Sequence, residues 1–212
     1  MATEKIYTTA EDRLNVITHG IGFIVALFAS FILLNKGFRE GMQLRFISYV
    51  IYCFGLITLY LASTLFHSAK DPEWRKRLNI FDHSAIYILI AGTYTPITLL
   101  VMKGTWGLVI LCIVWTLALI GIVLKFFFTG RYSKISTLTY VLMGWVIIIA
   151  IKPLINHMAI PGLLWLLAGG IFYTIGAILY QKKTMKYNHA IFHVFVLLGS
   201  LCHYIVILNY TN

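Results

Sequence analysis

W-G-L-V-I-L-C-I-V-W-T-L-A-L-I-G-I-V-L-K-F-F-F, from Trp106 to Phe128, is the stretch that decides the fold. It carries a single charge, Lys125. A helix rising ~1.5 Å per residue needs about 20 mostly apolar residues to cross the hydrocarbon of a bilayer, and this stretch is long enough. Six more windows of the same kind lie at 14–34, 46–67, 79–101, 136–154, 160–180 and 189–209. They predict an all-α, polytopic membrane protein, a bundle of seven transmembrane helices. The connections are short, so neighbouring spans are expected to run antiparallel. Residues 1–212 read as a single seven-helix domain with a short polar tail over 1–13.

Composition points the same way. Hydrophobic residues make up 60% of the chain and charged residues 11%, far from the balance of a soluble domain. The opening MATEKIYTTAEDR lacks the basic start, apolar stretch and small-residue cleavage site of a signal peptide, so the first apolar window is expected to remain as a span. The net charge of +10 does not describe a nucleic-acid surface, because the basic residues fall in short loops where they set orientation. Twelve of the seventeen lysines and arginines lie in the N-terminal tail and in the loops after spans two, four and six, with Lys125 counted in the loop after span four. Five lie on the other side, Lys103 among them. The positive-inside rule then places the N-terminus in the cytoplasm and the C-terminus outside, as for a multi-pass protein of a bacterial plasma membrane. Cys53, Cys112 and Cys202 sit in apolar windows without C-x-x-C spacing and read as small core residues.

Against this apolar ground a few polar side chains stand out. Ser63 and His67 lie in LASTLFHSA, Asp82 in NIFDHSAIY, and His189 and His193 in NHAIFHVF. Ionisable groups are expensive in hydrocarbon, so each is a candidate functional residue. Under the predicted topology all of them come to the cytoplasmic end of spans two, three and seven. Ser63 and His67, like His189 and His193, are four apart and share a helix face. Three imidazoles are the ligand inventory of a catalytic zinc site. Asp82 is the one carboxylate inside a predicted span, and an unpaired charge there calls for a nearby cation or hydrogen-bonded water. A polar network that only ties helices together is the alternative reading.

The other histidines read differently. His203 lies ten residues beyond His193, about 15 Å along the helix, and suits a packing hydrogen bond. His83 points roughly 100° away from Asp82, toward a neighbour or the interface. His157 falls in an outer loop. Asn15, Thr18 and His19 open span one at the metal face, either as a supporting shell or as caps and interhelical bonds. Pro96 predicts a kink in span three, and the glycines predict close helix packing.

These stretches together resemble the hemolysin III family, the bacterial branch of the progestin and adipoQ receptor superfamily. The resemblance rests on E-D-R-L-N-V-I-T-H-G-I-G (Glu11 to Gly22), S-T-L-F-H (Ser63 to His67) with F-D-H-S-A-I-Y (Phe81 to Tyr87), and N-H-A-I-F-H (Asn188 to His193). It implies a seven-helix bundle with a cytoplasmic N-terminus. It also implies Zn2+ held by His67, His189 and His193, with Asp82 holding a water at the fourth position and Ser63 beside it. His83 and Ala85 stand where receptor members carry tyrosine and glycine, which suits the bacterial branch.

The function this implies is zinc-dependent hydrolysis of a lipid amide or ester at the cytoplasmic face, with Asp82 and Ser63 as catalytic groups, membrane lipids as partners and an influence on membrane lipid homeostasis. A non-enzymatic sensor of membrane state with a structural zinc, and a pore-forming cytolysin, are the alternatives. A wide pore needs a polar stripe along several helices, whereas these spans concentrate polarity at one end.

Overall fold

The computed structural model describes residues 8–102 and 104–211, and every regular element among them is helical. Lys5 and Lys103, which enter the charge count above, lie outside the described residues. Seven segments are long and apolar enough to cross a membrane: α1 (Thr9–Arg39), α2 (Gln43–Ser68), α3 (Pro72–Pro96) with a π-helical extension (Ile97–Met102), α4 (Gly104–Phe128), a composite fifth span over Ser133–His157, α7 (Ile160–Gln181) and α8 (Asn188–Tyr210). All seven predicted windows are therefore helices, most of them longer than the window. The chain is a multi-pass membrane protein.

The largest extension matters for the site. The polar tail does not run to residue 13, because α1 begins at Thr9. Thr8 caps it: the Glu11 backbone N–H donates to Thr8 Oγ1 at 3.2 Å while the Thr8 N–H donates to Glu11 Oε2 at 2.9 Å. This reciprocal pair satisfies two of the helix's free amides and fixes its start. Asp12 thereby becomes a helical residue facing the bundle. At α3, Asp71 accepts from the Trp74 N–H at 2.9 Å and Pro72 occupies the first turn, where its missing N–H costs nothing.

The centre of the bundle is α2 against α3. A Cβ built on Gly55 would lie 2.9 Å from the Ile88 carbonyl oxygen, and one on Gly92 would lie 3.1 Å from that of Ile51. Only hydrogen at these positions lets the two backbones approach, the packing device typical of membrane helices. Helix α1 packs on α2 and also on α8, where Tyr204 donates its hydroxyl to the Ala29 carbonyl at 2.9 Å. Helix α8 packs on α7, and α4 packs on α3.

Two spans depart from simple helices. At Pro96 the helix changes pitch, the chain continuing as π-helix to Met102. Threonines beside the proline bond back to the preceding turn: Thr98 donates to Tyr94 O at 2.9 Å and Thr95 to Ala91 O at 2.9 Å. The fifth span, expected as one helix over 136–154, is broken. It runs as α5 (Ser133–Gly144), a 3-10 segment (Val146–Ala150) and α6 (Ile151–His157). In hydrocarbon no water is available for backbone groups loosened by a break, so the protein must supply partners. Tyr94 of α3 does so, accepting from the Ile147 N–H at 3.0 Å and donating to the Gly144 carbonyl at 2.8 Å. Trp145, at the break, donates its indole N–H to Thr174 of α7 at 3.0 Å.

Tyr94→Phe keeps the ring and removes that hydroxyl. Leaving the Ile147 amide and the Gly144 carbonyl unmet should destabilise the protein by about 1–3 kcal/mol, seen as a lower thermal midpoint in detergent. An unchanged midpoint would mean that the break does not rely on Tyr94.

Candidate metal centre

Two helices, one ending and one starting at the same face of the bundle, bring the imidazoles together. His67 lies in the last turn of α2, and His189 and His193 lie in the first two turns of α8. All three are buried. One nitrogen from each falls within 4.8 Å of the other two, and the His67 Nε2 to His189 Nε2 distance is 3.1 Å. Nitrogens bound to a common tetrahedral ion at ~2.0–2.1 Å lie roughly 3.3 Å apart, so the trio is placed to hold a metal ion.

The second nitrogens decide which lone pairs face the centre. His67 Nδ1 lies 2.9 Å from Asp12 Oδ1. A carboxylate accepts, so the proton belongs on Nδ1 and Nε2 presents its lone pair. His193 Nδ1 lies 3.0 Å from Thr18 Oγ1, whose own proton goes to the Leu14 or Asn15 carbonyl at 2.9 and 3.0 Å. Thr18 therefore accepts from His193 Nδ1, and His193 Nε2 is free to ligate. Partners on the far side of ligating imidazoles fix tautomer and orientation in just this way. The donor set fits a borderline cation that prefers nitrogen.

Asp12 is held in turn by Arg75, whose Nη2 donates to both carboxylate oxygens at 2.9 and 3.1 Å. Arg75 also donates to the Ala69 carbonyl at 3.1 Å and lies over the Phe66 ring. One carboxylate thus joins α1, the end of α2 and the start of α3. Asn15 is fully buried, its Nδ2 3.3 Å from His67 Nδ1. His19 stacks on His193 with ring centroids 3.4 Å apart and meets the Tyr60 ring edge-on. The three residues expected as a supporting shell all surround the imidazoles.

Asp82 does not belong to the ligand trio. It is buried in α3 and lines a cavity of about 220 Å³ that Ser63, His189 and His193 also line. Ser63, one turn before His67, faces the Asp82 carboxyl. His83 bonds through Nδ1 to the Asn79 carbonyl at 2.9 Å and borders the same cavity, so its exit toward lipid or a neighbour is only partial. His203 donates to the Leu166 carbonyl at 3.2 Å, a bond between α8 and α7. His157 ends α6 with Nδ1 on the Pro153 carbonyl at 2.7 Å.

Three residues of this region were not picked out from the sequence: Asp12, Arg75 and Lys125. Lys125 is not a loop residue. It lies inside α4, buried, on the cavity wall. A signal for Asp12 existed, since Asp12, Asn15, His19 and Gly22 recur at three- and four-residue spacing on one face. For Lys125 the signal was the Phe126–Phe128 run that follows it and keeps the helix going. Arg75 had none among its basic neighbours.

A sequence-family model described as Haemolysin-III related matches residues 7–204. Hemolysin-3 of Bacillus cereus is 46% identical over 200 residues, covering 94% of this chain and 91% of its own length. The Hemolysin-3 homolog of Bacillus subtilis (strain 168) is 44% identical over 205 residues, covering 97% and 96%. Human monocyte to macrophage differentiation factor is 28% identical over 209 residues, covering 96% and 85%.

Metal analysis of purified protein should find about one ion per chain, lowered in His67→Ala, His189→Ala and His193→Ala and unchanged in His203→Ala. Asp12→Asn should weaken metal affinity about 10–100-fold, the usual effect of losing the partner of a ligating imidazole. Equal metal content in all five variants would remove the centre.

Proposed function

The chain belongs to the haemolysin-III family, and we propose that it is a zinc-dependent hydrolase acting on a lipid amide or ester, with its metal face in the cytoplasm. The observation that carries this reading is a trio of buried imidazoles, two of which, His189 and His193, share the wall of one mainly apolar cavity with a buried carboxyl and hydroxyl. Three nitrogen ligands leave a coordination position open, as catalytic rather than structural zinc sites do. A bound zinc ion would supply Lewis acidity toward a carbonyl group and toward water.

The chain's own residues have definable roles in such a reaction. Asp82 accepts a proton from the attacking water and returns it to the departing nitrogen or oxygen, so the carboxyl ends as it began. Ser63, on the same cavity wall as Asp82, offers its one hydroxyl proton to the developing oxyanion. The apolar walls, among them Leu59, Ile86, Leu89 and Val196, exclude water and suit an acyl chain. Charge asymmetry supports the cytoplasmic placement. With the buried Lys125 set aside, eleven lysines and arginines remain on the N-terminal side against five opposite.

Asp82→Asn separates catalysis from structure. It keeps the shape and one acceptor but removes the basicity. The zinc should be largely retained while lipid hydrolysis, or complementation of a deletion strain, falls by about 10²–10⁴-fold. Full function in a folded, zinc-loaded variant would defeat the hydrolase reading and favour a sensor built on the same site.

Orientation is tested separately. A cysteine introduced at Lys183, in a protein whose native cysteines are replaced, should react with a membrane-impermeant thiol reagent only after the cytoplasmic side is exposed. Labelling in intact cells would invert the topology.

A further inference from the structure

Lys125 is a buried charge that the metal chemistry leaves unused. It stands three residues from the end of α4, in a helix that otherwise turns most of its side chains outward, yet it is only 4% exposed. Its Nζ donates to Ser136 Oγ at 2.6 Å and lies 5.3 Å from the centroid of the Tyr140 ring. An ammonium has three donors, and one hydroxyl does not satisfy them. Ion pairs among the described residues use Glu40, Asp12 and Asp82, with Lys36, Arg45, Arg75, His67 and His83 as partners. Lys125 forms none of them and acts on Asp82 only from a distance across the cavity. A buried cation without a contacting anion is costly in a membrane bundle, which makes an anionic ligand the natural complement.

The surroundings narrow the ligand. The cavity wall that holds Lys125 continues through Ser133, Ser136 and Thr137 to Lys183, the exposed lysine two residues beyond α7. Two ammonium groups and the hydroxyls of Ser133 and Ser136 therefore border one part of a cavity that is mostly apolar, while Thr137 gives its proton to the Ser133 carbonyl. Several donors of this kind on one wall suit the multiple acceptor oxygens of a phosphate. Both lysines also lie at the ends of membrane-crossing helices, the level at which phospholipid phosphates reside.

We propose that this end of the cavity binds the phosphate of an anionic phospholipid, with an acyl chain directed along the apolar walls toward the metal centre. The inference rests on the hydrolase reading only in taking the bound lipid as that site's substrate class. Binding itself does not require turnover.

The test is a titration of purified, metal-loaded protein in nonionic detergent with short-chain phosphatidylglycerol, short-chain phosphatidylcholine and inorganic phosphate. Phosphatidylglycerol should bind about tenfold or more tighter than phosphatidylcholine. Lys125→Met should reduce that affinity about tenfold with metal content unchanged, and Lys125→Arg should retain most of it. Lys183→Gln should reduce it about threefold, an exposed contact being weaker. Equal binding of the two lipids, or undiminished phosphatidylglycerol binding by Lys125→Met, overturns the proposal. Displacement of the lipid by millimolar inorganic phosphate reveals an adventitious ion only and overturns it as well. Should Lys125→Met fail to fold, the lipid preference of the unaltered protein and the Lys183→Gln shift decide the matter. Anionic preference without any hydrolysis would defeat the hydrolase reading alone, and hydrolysis without anionic preference would defeat this one alone.

Discussion

The hydrogen bond from His67 Nδ1 to Asp12, 2.9 Å long, is the interaction on which the metal face depends. It sets the tautomer of His67 and so aims a lone pair at His189 and His193. It also fixes where α1 enters the bundle, because Asp12 lies in the first turn of that helix. A carboxylate there would be expensive alone. Arg75 neutralises it through two contacts and carries the connection to α3, the helix that bears Asp82. The orientation of His67 and the placement of the α3 start thus depend on one charged network. Asn15, Thr18 and His19 extend it along α1, each against an imidazole of the cluster.

This arrangement divides the bundle. Around the histidines α1, α2, α3 and α8 are tightly fitted, and α2 alone buries thirteen residues, from Ser48 to His67. Across the cavity, α5 buries only Met143. The broken fifth span is tolerated because Tyr94 and Thr174 take over the backbone and indole groups at the break. Catalytic geometry benefits from rigid positioning of its first contacts, whereas a lipid must enter from the membrane side past something less firmly packed. The proposed hydrolysis would place these two demands on different helices.

The spans were legible because the bilayer imposes a length and a composition that few sequences meet by accident, and all seven windows are helices. The histidine cluster was legible for a related reason: a polar residue in an apolar run has no bland explanation, and i, i+4 spacing states the face. What escaped was polarity close to the helix ends. There charged residues are ordinary, and composition does not distinguish Asp12, bonded to a metal-face imidazole, from a solvated acid. Arg75 sits among Lys76 and Arg77 with nothing in the sequence to single it out. The same ambiguity hid Lys125, which orientation statistics treat as a topology signal although its ammonium turns inward. The break at Trp145 escaped for another reason. Its stabilising hydroxyl comes from α3, about fifty residues earlier in the chain, and no local pattern reports a tertiary partner.

A last consequence concerns Asp82. Its position in α3 is not set by the imidazoles, which it does not join, but by the α2–α3 contact at Gly55 and Gly92 and by the Arg75 anchor at the helix start. Ser63 reaches it from α2, and Lys125 faces it from α4. A carboxyl that ligated the ion would be held by the metal and lose its basicity to it. Under the proposed hydrolysis, a carboxyl positioned by helix packing instead would keep a lone pair for a proton and stay in place when protonated. The close backbone approach of α2 and α3 therefore does more than stabilise the bundle: it sets the register between the helix that carries His67 and the helix that carries Asp82.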